Sequence, residues 1–96
     1  MTLLDLLGRR MALRILWELA RDSEPLTFRA LQEAAQTNPS VLNARLKELR
    51  ESRLVGHLGG GYQLTAEGRS LVALMLPLHE WAENWAAFGP KPSALA

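Results

Sequence analysis

The chain contains no cysteine. Disulfides, thiolate metal sites, thiol nucleophiles and thiol redox chemistry are all excluded by that one absence. Charge of one sign is also scarce, since eleven Lys and Arg stand against ten Asp and Glu for a formal net charge of +1. Such a balance argues for neither nucleic acid nor a membrane surface by itself. No apolar run approaches the roughly 20 residues of a membrane span, and "MTLLDLLGRR" puts its short apolar run before its arginines, the reverse of a signal peptide. No membrane partner and a cytoplasmic location are therefore expected. The two histidines, His57 and His79, stand apart, without a carboxylate or cysteine partner near in sequence and without metal-ligand spacing. They predict no metal and no cofactor. Nothing resembles an acid/base pair or an activated nucleophile, because "RDSE" reads as a helix end and "TAEG" as a helix start. The chain is therefore not expected to be an enzyme.

What is present suits one small folded domain over residues 1–96, with 48% hydrophobic and 22% charged residues and a loose tail at about 89–96, "GPKPSALA". Thr2 can cap a short helix through Leu3, Leu4, Leu6 and Leu7, and Gly8 punctuates it. A second helix is predicted from about Arg9 to Asp22, apolar on most sides, with Arg14, Glu18 and Arg21 as its polar stripe. "SEPL" breaks the chain, and Thr27 caps a short helix carrying Phe28, Leu31 and Ala35 and ending near Gln36.

Asn38 and Pro39 open the next helix, at about 39–52, as a cap and a first-turn proline. Helical spacing puts Leu42, Leu46 and Leu49 on one side of it and Ser40, Asn43, Ala44, Lys47 and Glu51 on the other. "RLVGHL" and "GYQL" then flank glycines, predicting two short antiparallel strands around a tight turn at Gly59 and Gly60. Glycines 59 to 61 lack the lysine and following helix of a phosphate-binding loop. Thr65 caps a last helix from Ala66 to about Phe88, and Pro77 inside it predicts a kink near 73 to 77.

The fold class expected is mainly α with a small two-stranded β-wing. In a winged helix-turn-helix of this order the helix at 39–52 is the recognition helix, its leucines holding it to the domain while its outer face enters a major groove. Double-stranded DNA is then the expected partner. The weak bias of the middle of the chain agrees: residues 37 to 69 carry five basic side chains and three acidic ones, or +2. Ser40, Asn43, Ala44 and Lys47 are the candidate reading face, and Arg45, Arg50, Arg53, Gln32 and Arg29 are candidate phosphate contacts. Each has a plainer alternative, as the solvated side of a helix or an arginine paired with a nearby glutamate; Arg45, nearest the core edge, is also a candidate structural residue.

At this point the chain resembles a known family, the HxlR-type transcriptional regulators, a branch of the MarR-like winged-helix proteins. "LLDLLGRRMALRIL" is similar to the family's opening pattern and "LTFRALQEA" to its first helix of the helix-turn-helix. "NPSVLNARLKELRESRLV" resembles its recognition helix, and "YQLTAEGRSL" followed by Trp81 resembles its second wing strand and C-terminal helix. The resemblance implies a homodimer on a partly palindromic operator. Two departures stand out: the family usually has a tryptophan where Met11 stands and a cysteine near the N-terminus, so the thiol sensing of some relatives does not carry over. Family wings are also longer and basic, whereas "GHLGGG" offers His57 alone.

Surplus apolar surface on the terminal helices marks Leu3, Leu4, Leu7, Leu74, Leu78, Trp81 and Trp85 as the dimerisation set. Trp17, Trp81 and Trp85 serve either as dimer core or as the lining for a small apolar effector at the dimer interface. The competing function is a winged-helix module for protein or effector binding that has lost DNA contact together with its wing.

Overall fold

Every helix but one is started by a side chain that the sequence supplies at its N-terminus. In the computed structural model, which describes residues 2–88, Thr2 opens α1 (Leu3–Leu7) through a capping box: its Oγ1 accepts from the Asp5 amide at 3.3 Å and the Asp5 carboxylate accepts from the Thr2 amide at 3.2 Å. Thr27 opens α3 (Phe28–Ala35), accepting from the Ala30 amide at 3.1 Å. Asn38 opens α4 (Pro39–Glu51), its Oδ1 accepting from the Val41 amide at 2.9 Å, with Pro39 at the first helical position. Each such cap contributes about 1 kcal/mol.

The exception is α2 (Ala12–Arg21), which starts three residues later than the pattern predicts. "GRRM" offers no capping hydroxyl or amide, and Met11 adopts the left-handed region at φ 71°, which ends any helix there. Residues 8 to 11 therefore form a turn between α1 and α2. The polar stripe expected on α2 is also not simply solvated: Glu18 is buried, accepting from Arg14 Nε at 2.8 Å and lying 3.6 Å from Arg21 Nη1. Arg14 Nη2 in turn donates to the Ala34 carbonyl at 3.2 Å, so this stripe packs α2 against α3.

The leucines of α4 behave as their spacing predicts, with Leu42, Leu46 and Leu49 buried against Ile15 and Leu16 of α2 and Leu31 of α3 in one core. Beyond α4, strands β1 (Val55–Leu58) and β2 (Gly61–Leu64) pair antiparallel with Val55 opposite Leu64 and His57 opposite Tyr62. Gly59 and Gly60 have φ of 61° and 80°, the positive pair that a two-residue hairpin turn requires. The segment expected only to break the chain does more, since Leu26 pairs with Tyr62 through two backbone hydrogen bonds of 2.9 and 2.7 Å. It buttresses β2 on the side away from β1.

Thr65 joins three elements at once. Its Oγ1 donates to the Arg53 carbonyl at 2.5 Å and accepts from the Gly68 amide at 3.0 Å, opening α5 (Ala66–Phe88). Gly68 is fixed by close approach, because a Cβ there would stand 2.1 Å from the Leu54 carbonyl oxygen. From this anchor α5 runs as a single helix through Pro77, about 35 Å in all. The tail expected at about 89–96 lies outside the described residues.

Candidate nucleic-acid interface

Along α4 the buried leucines leave Ser40, Asn43, Ala44 and Lys47 on the exposed side, with Arg50 and Glu51 exposed one turn further on. The first three have short side chains, so the helix backbone is able to come close to whatever lies over them. Lys47, Arg50, Glu51, Val55, Gly56 and His57 line one groove, of about 460 Å³, between α4 and the wing. The fold thus brings together two cations of the helix and His57 of the wing. Gln32 and Arg29 stand on α3, outside this groove, and Arg29 lies 3.6 Å from Glu33 on the same exposed helix face.

Arg45 takes a different position from its neighbours. Its side chain is only 15% exposed; Nε donates to the Arg10 carbonyl at 2.9 Å and Nη1 pairs with Glu48. Arg53 occupies the turn after α4 with φ 66°.

The wing holds a feature that composition did not suggest. The rings of His57 and Tyr62 stack at 4.1 Å, nearly parallel at 6°. The sequence does carry a signal for it, because a two-residue turn at Gly59 and Gly60 fixes Leu58 opposite Gly61 and hence His57 opposite Tyr62. His79 requires a correction: it does have a carboxylate partner, Glu83, one helical turn on, with Nε2 2.7 Å from Oε1, and its ring also lies 4.8 Å from that of Trp17. Among the described residues no group of three or more His, Asp or Glu comes together, and no helix is long and apolar enough to cross a membrane.

The residues marked for dimerisation divide by burial. Leu4, Leu74, Leu78 and Trp81 are 79%, 73%, 63% and 61% exposed and Leu3 is half-exposed, whereas Leu7 packs partly against the core. Trp85 is half-buried, its ring stacked on that of Trp81 at 6.1 Å. Leu74, Leu78, Trp81, Trp85 and Phe88 repeat at intervals of four and three, a seam along one face of α5. Val72, Met75, His79 and Ala82 repeat likewise, about a third of a turn around, and belong to the side facing α2.

Comparison with known proteins decides the family. A family profile described as HxlR-like helix-turn-helix matches residues 6–89. The chain belongs to that family. Among solved structures, a "possible HxlR family transcriptional factor" from Thermoplasma volcanium GSS1 superposes with a TM-score of 0.82 at 24% identity, covering 91% of this chain and 84% of that one. Quinone-bound YodB from B. subtilis gives 0.76 at 30% identity, over 83% of this chain and 90% of that one. The reduced form of the transcriptional regulator YodB gives 0.67 at 25% identity, over 93% and 89%. No curated protein matches. As an HxlR-type protein the chain is a transcriptional regulator of the DNA-binding, winged helix-turn-helix kind.

Proposed function

We propose that the protein is a homodimeric, cytoplasmic regulator that reads the major groove of a partly palindromic operator through the outer face of α4. The observation that carries this reading is the two-sidedness of α4: three leucines lock it to the core while Ser40, Asn43, Ala44 and Lys47 stand free beside a groove that also holds Arg50 and His57. Asn43 is the candidate base contact, since its amide both donates and accepts, and Lys47 and Arg50 are the candidate phosphate contacts. Gln32 and Arg29 of α3 are secondary candidates for the backbone of the same site. Glu48 is held by Arg45 and Arg9, so Glu51, exposed beside Arg50, is the carboxylate that would repel phosphate at the far end of the helix.

The homodimer is supported by the α5 seam, which leaves large apolar side chains in water in a single chain. Two copies related by a two-fold axis would cover the seam together with Leu3 and Leu4 of α1, and would set two recognition helices about 34 Å apart. Trp17 lies in two cavities of about 290 and 360 Å³ between α2 and α5, the candidate place for a small apolar effector. YodB has been seen with quinone bound; in a chain without cysteine such a molecule would be held without a thiol bond.

One observation favours the second reading, a winged helix used for protein or effector binding alone: no Lys or Arg stands between Val55 and Leu64. The experiment that separates the two is selection of bound duplexes from a random pool, followed by titration in salt. Enrichment of one motif, with binding that strengthens as salt falls, is expected of a DNA reader. An unenriched pool with no binding at low salt would leave only the second reading.

A further inference from the structure

Arg45 lies on the recognition helix yet keeps its guanidinium inside the fold. Nε donates to the carbonyl of Arg10, 35 residues earlier, at 2.9 Å, and Nη1 pairs with Glu48, whose other oxygen lies 3.8 Å from Arg9 Nε. The Arg10 carbonyl comes just before Met11, the left-handed residue whose own carbonyl is the first acceptor of α2. It therefore falls outside the helical ladder and needs a partner from elsewhere. Arg45 supplies it. Lys47 and Arg50, by contrast, are exposed on the side that borders the wing groove.

We infer that Arg45 is a positioning residue: it fastens the middle of the recognition helix to the turn between α1 and α2, and so couples the arrangement of the N-terminal helices to operator recognition. The inference rests on the reading of α4 as the DNA-contacting helix. A planar guanidinium suits this task because it serves a carbonyl and a carboxylate at fixed angles at once, which a lysine ammonium on a flexible stem does not. Its charge is already matched by Glu48, so it adds little to phosphate neutralisation. The turn it grips follows directly on α1, whose Leu3 and Leu4 are exposed. A partner copy or ligand that shifts α1 would move the Arg10 carbonyl and, through Arg45, the angle at which α4 meets DNA; by linkage, operator binding would act back on α1.

The test compares Arg45→Lys, Arg45→Met, Met11→Val and the Arg45→Lys, Met11→Val double variant with the unaltered protein. Met11→Val disturbs the turn from its other side, because a β-branched residue resists the left-handed backbone. Affinity is measured for the duplex the unaltered protein enriches from a random pool and for a shuffled duplex, over a range of salt, with circular dichroism confirming helix content. The expected result is that Arg45→Lys and Met11→Val each weaken the enriched duplex about tenfold, as for loss of one charge-assisted hydrogen bond, while leaving the shuffled duplex and the salt slope unchanged. The double variant is expected to be no weaker than Arg45→Lys alone. Equal weakening of both duplexes by Arg45→Met, with a salt slope lower by about one for each half of the dimer, would make Arg45 a phosphate contact and overturn the inference. So would unchanged affinity in the Arg45 variants, or additive losses in the double. Failure of the unaltered protein to bind any duplex would instead remove the DNA reading of α4 on which the inference stands.

Discussion

The outer faces of α4 and α5 are both exposed, but they are exposed in opposite ways. The face of α4 is short and polar, on a helix whose other side is fully occupied by Leu42, Leu46 and Leu49. The distal half of α5 presents Leu74, Leu78, Trp81 and Phe88 at the spacing of a coiled-coil seam. Water satisfies the first surface and penalises the second, at about 25 cal/mol for each Å² of apolar area. A rigid helix with a polar face is ready for a hydrated polyanion, whereas an apolar seam needs another apolar surface. Exposure alone says little about a partner, and the chemistry of what is exposed names its class.

The largest expected effect separates two leucines. Leu46→Ala, at a position 2% exposed, should cost about 2–5 kcal/mol in urea unfolding at every protein concentration. Leu74→Ala, at a position 73% exposed, should reduce only the concentration-dependent part of the stability. Next in size is the paired change Leu74→Glu, Leu78→Glu, which should halve the mass seen by light scattering at micromolar concentration and weaken operator binding by about 100-fold, through loss of the second half-site. A mass unaffected by both charges would break the contrast, because α5 would then be no more a contact surface than α4.

How much of this contrast is legible in the sequence follows from the range of the interactions involved. The caps Thr2, Thr27, Asn38 and Thr65, the leucine side of α4 and the glycine turn depend on residues only a few positions apart, and spacing reveals such things. Arg45 to Arg10, Arg14 to Ala34 and Leu26 to Tyr62 join distant segments, and no local pattern carries them. The late start of α2 is local yet hidden, since Met11 in a left-handed turn is a conformation that its side chain does not advertise. His79 with Glu83 is legible at i, i+4, as an ion pair along one helix face and not as metal-ligand spacing.

The wing supplies a smaller test of where affinity comes from. Two arginines inserted beside Gly60 should tighten binding to any duplex by at least about tenfold and steepen the salt slope by about two for each half of the dimer, without changing which operator is preferred. His57→Ala is expected to change binding little by comparison, and abolished binding would mean that the His57–Tyr62 stack is itself seated on DNA. The smallest effect concerns α1. The Thr2 hydroxyl, then the Thr2 amide, hold the Asp5 carboxyl below the ordinary carboxylate range. A lowered folded-state value stabilises α1 above the unfolded value of about 3.9 and loses that contribution as pH falls through the folded one. The protection of amides in residues 3–7, taken relative to their intrinsic exchange rate at each pH, should therefore fall below about pH 4, and Asp5→Asn should remove that dependence.

The most direct test of α4 as the reading helix is the ratio of affinities for the enriched and the shuffled duplex in Asn43→Ala, measured at one fixed salt concentration. That ratio is expected to fall by a factor equivalent to about 1–3 kcal/mol, with shuffled-duplex binding unchanged. An unaltered ratio in a folded Asn43→Ala protein, together with unaltered affinity for both duplexes in Lys47→Ala, would contradict the claim and place recognition on another surface of the molecule.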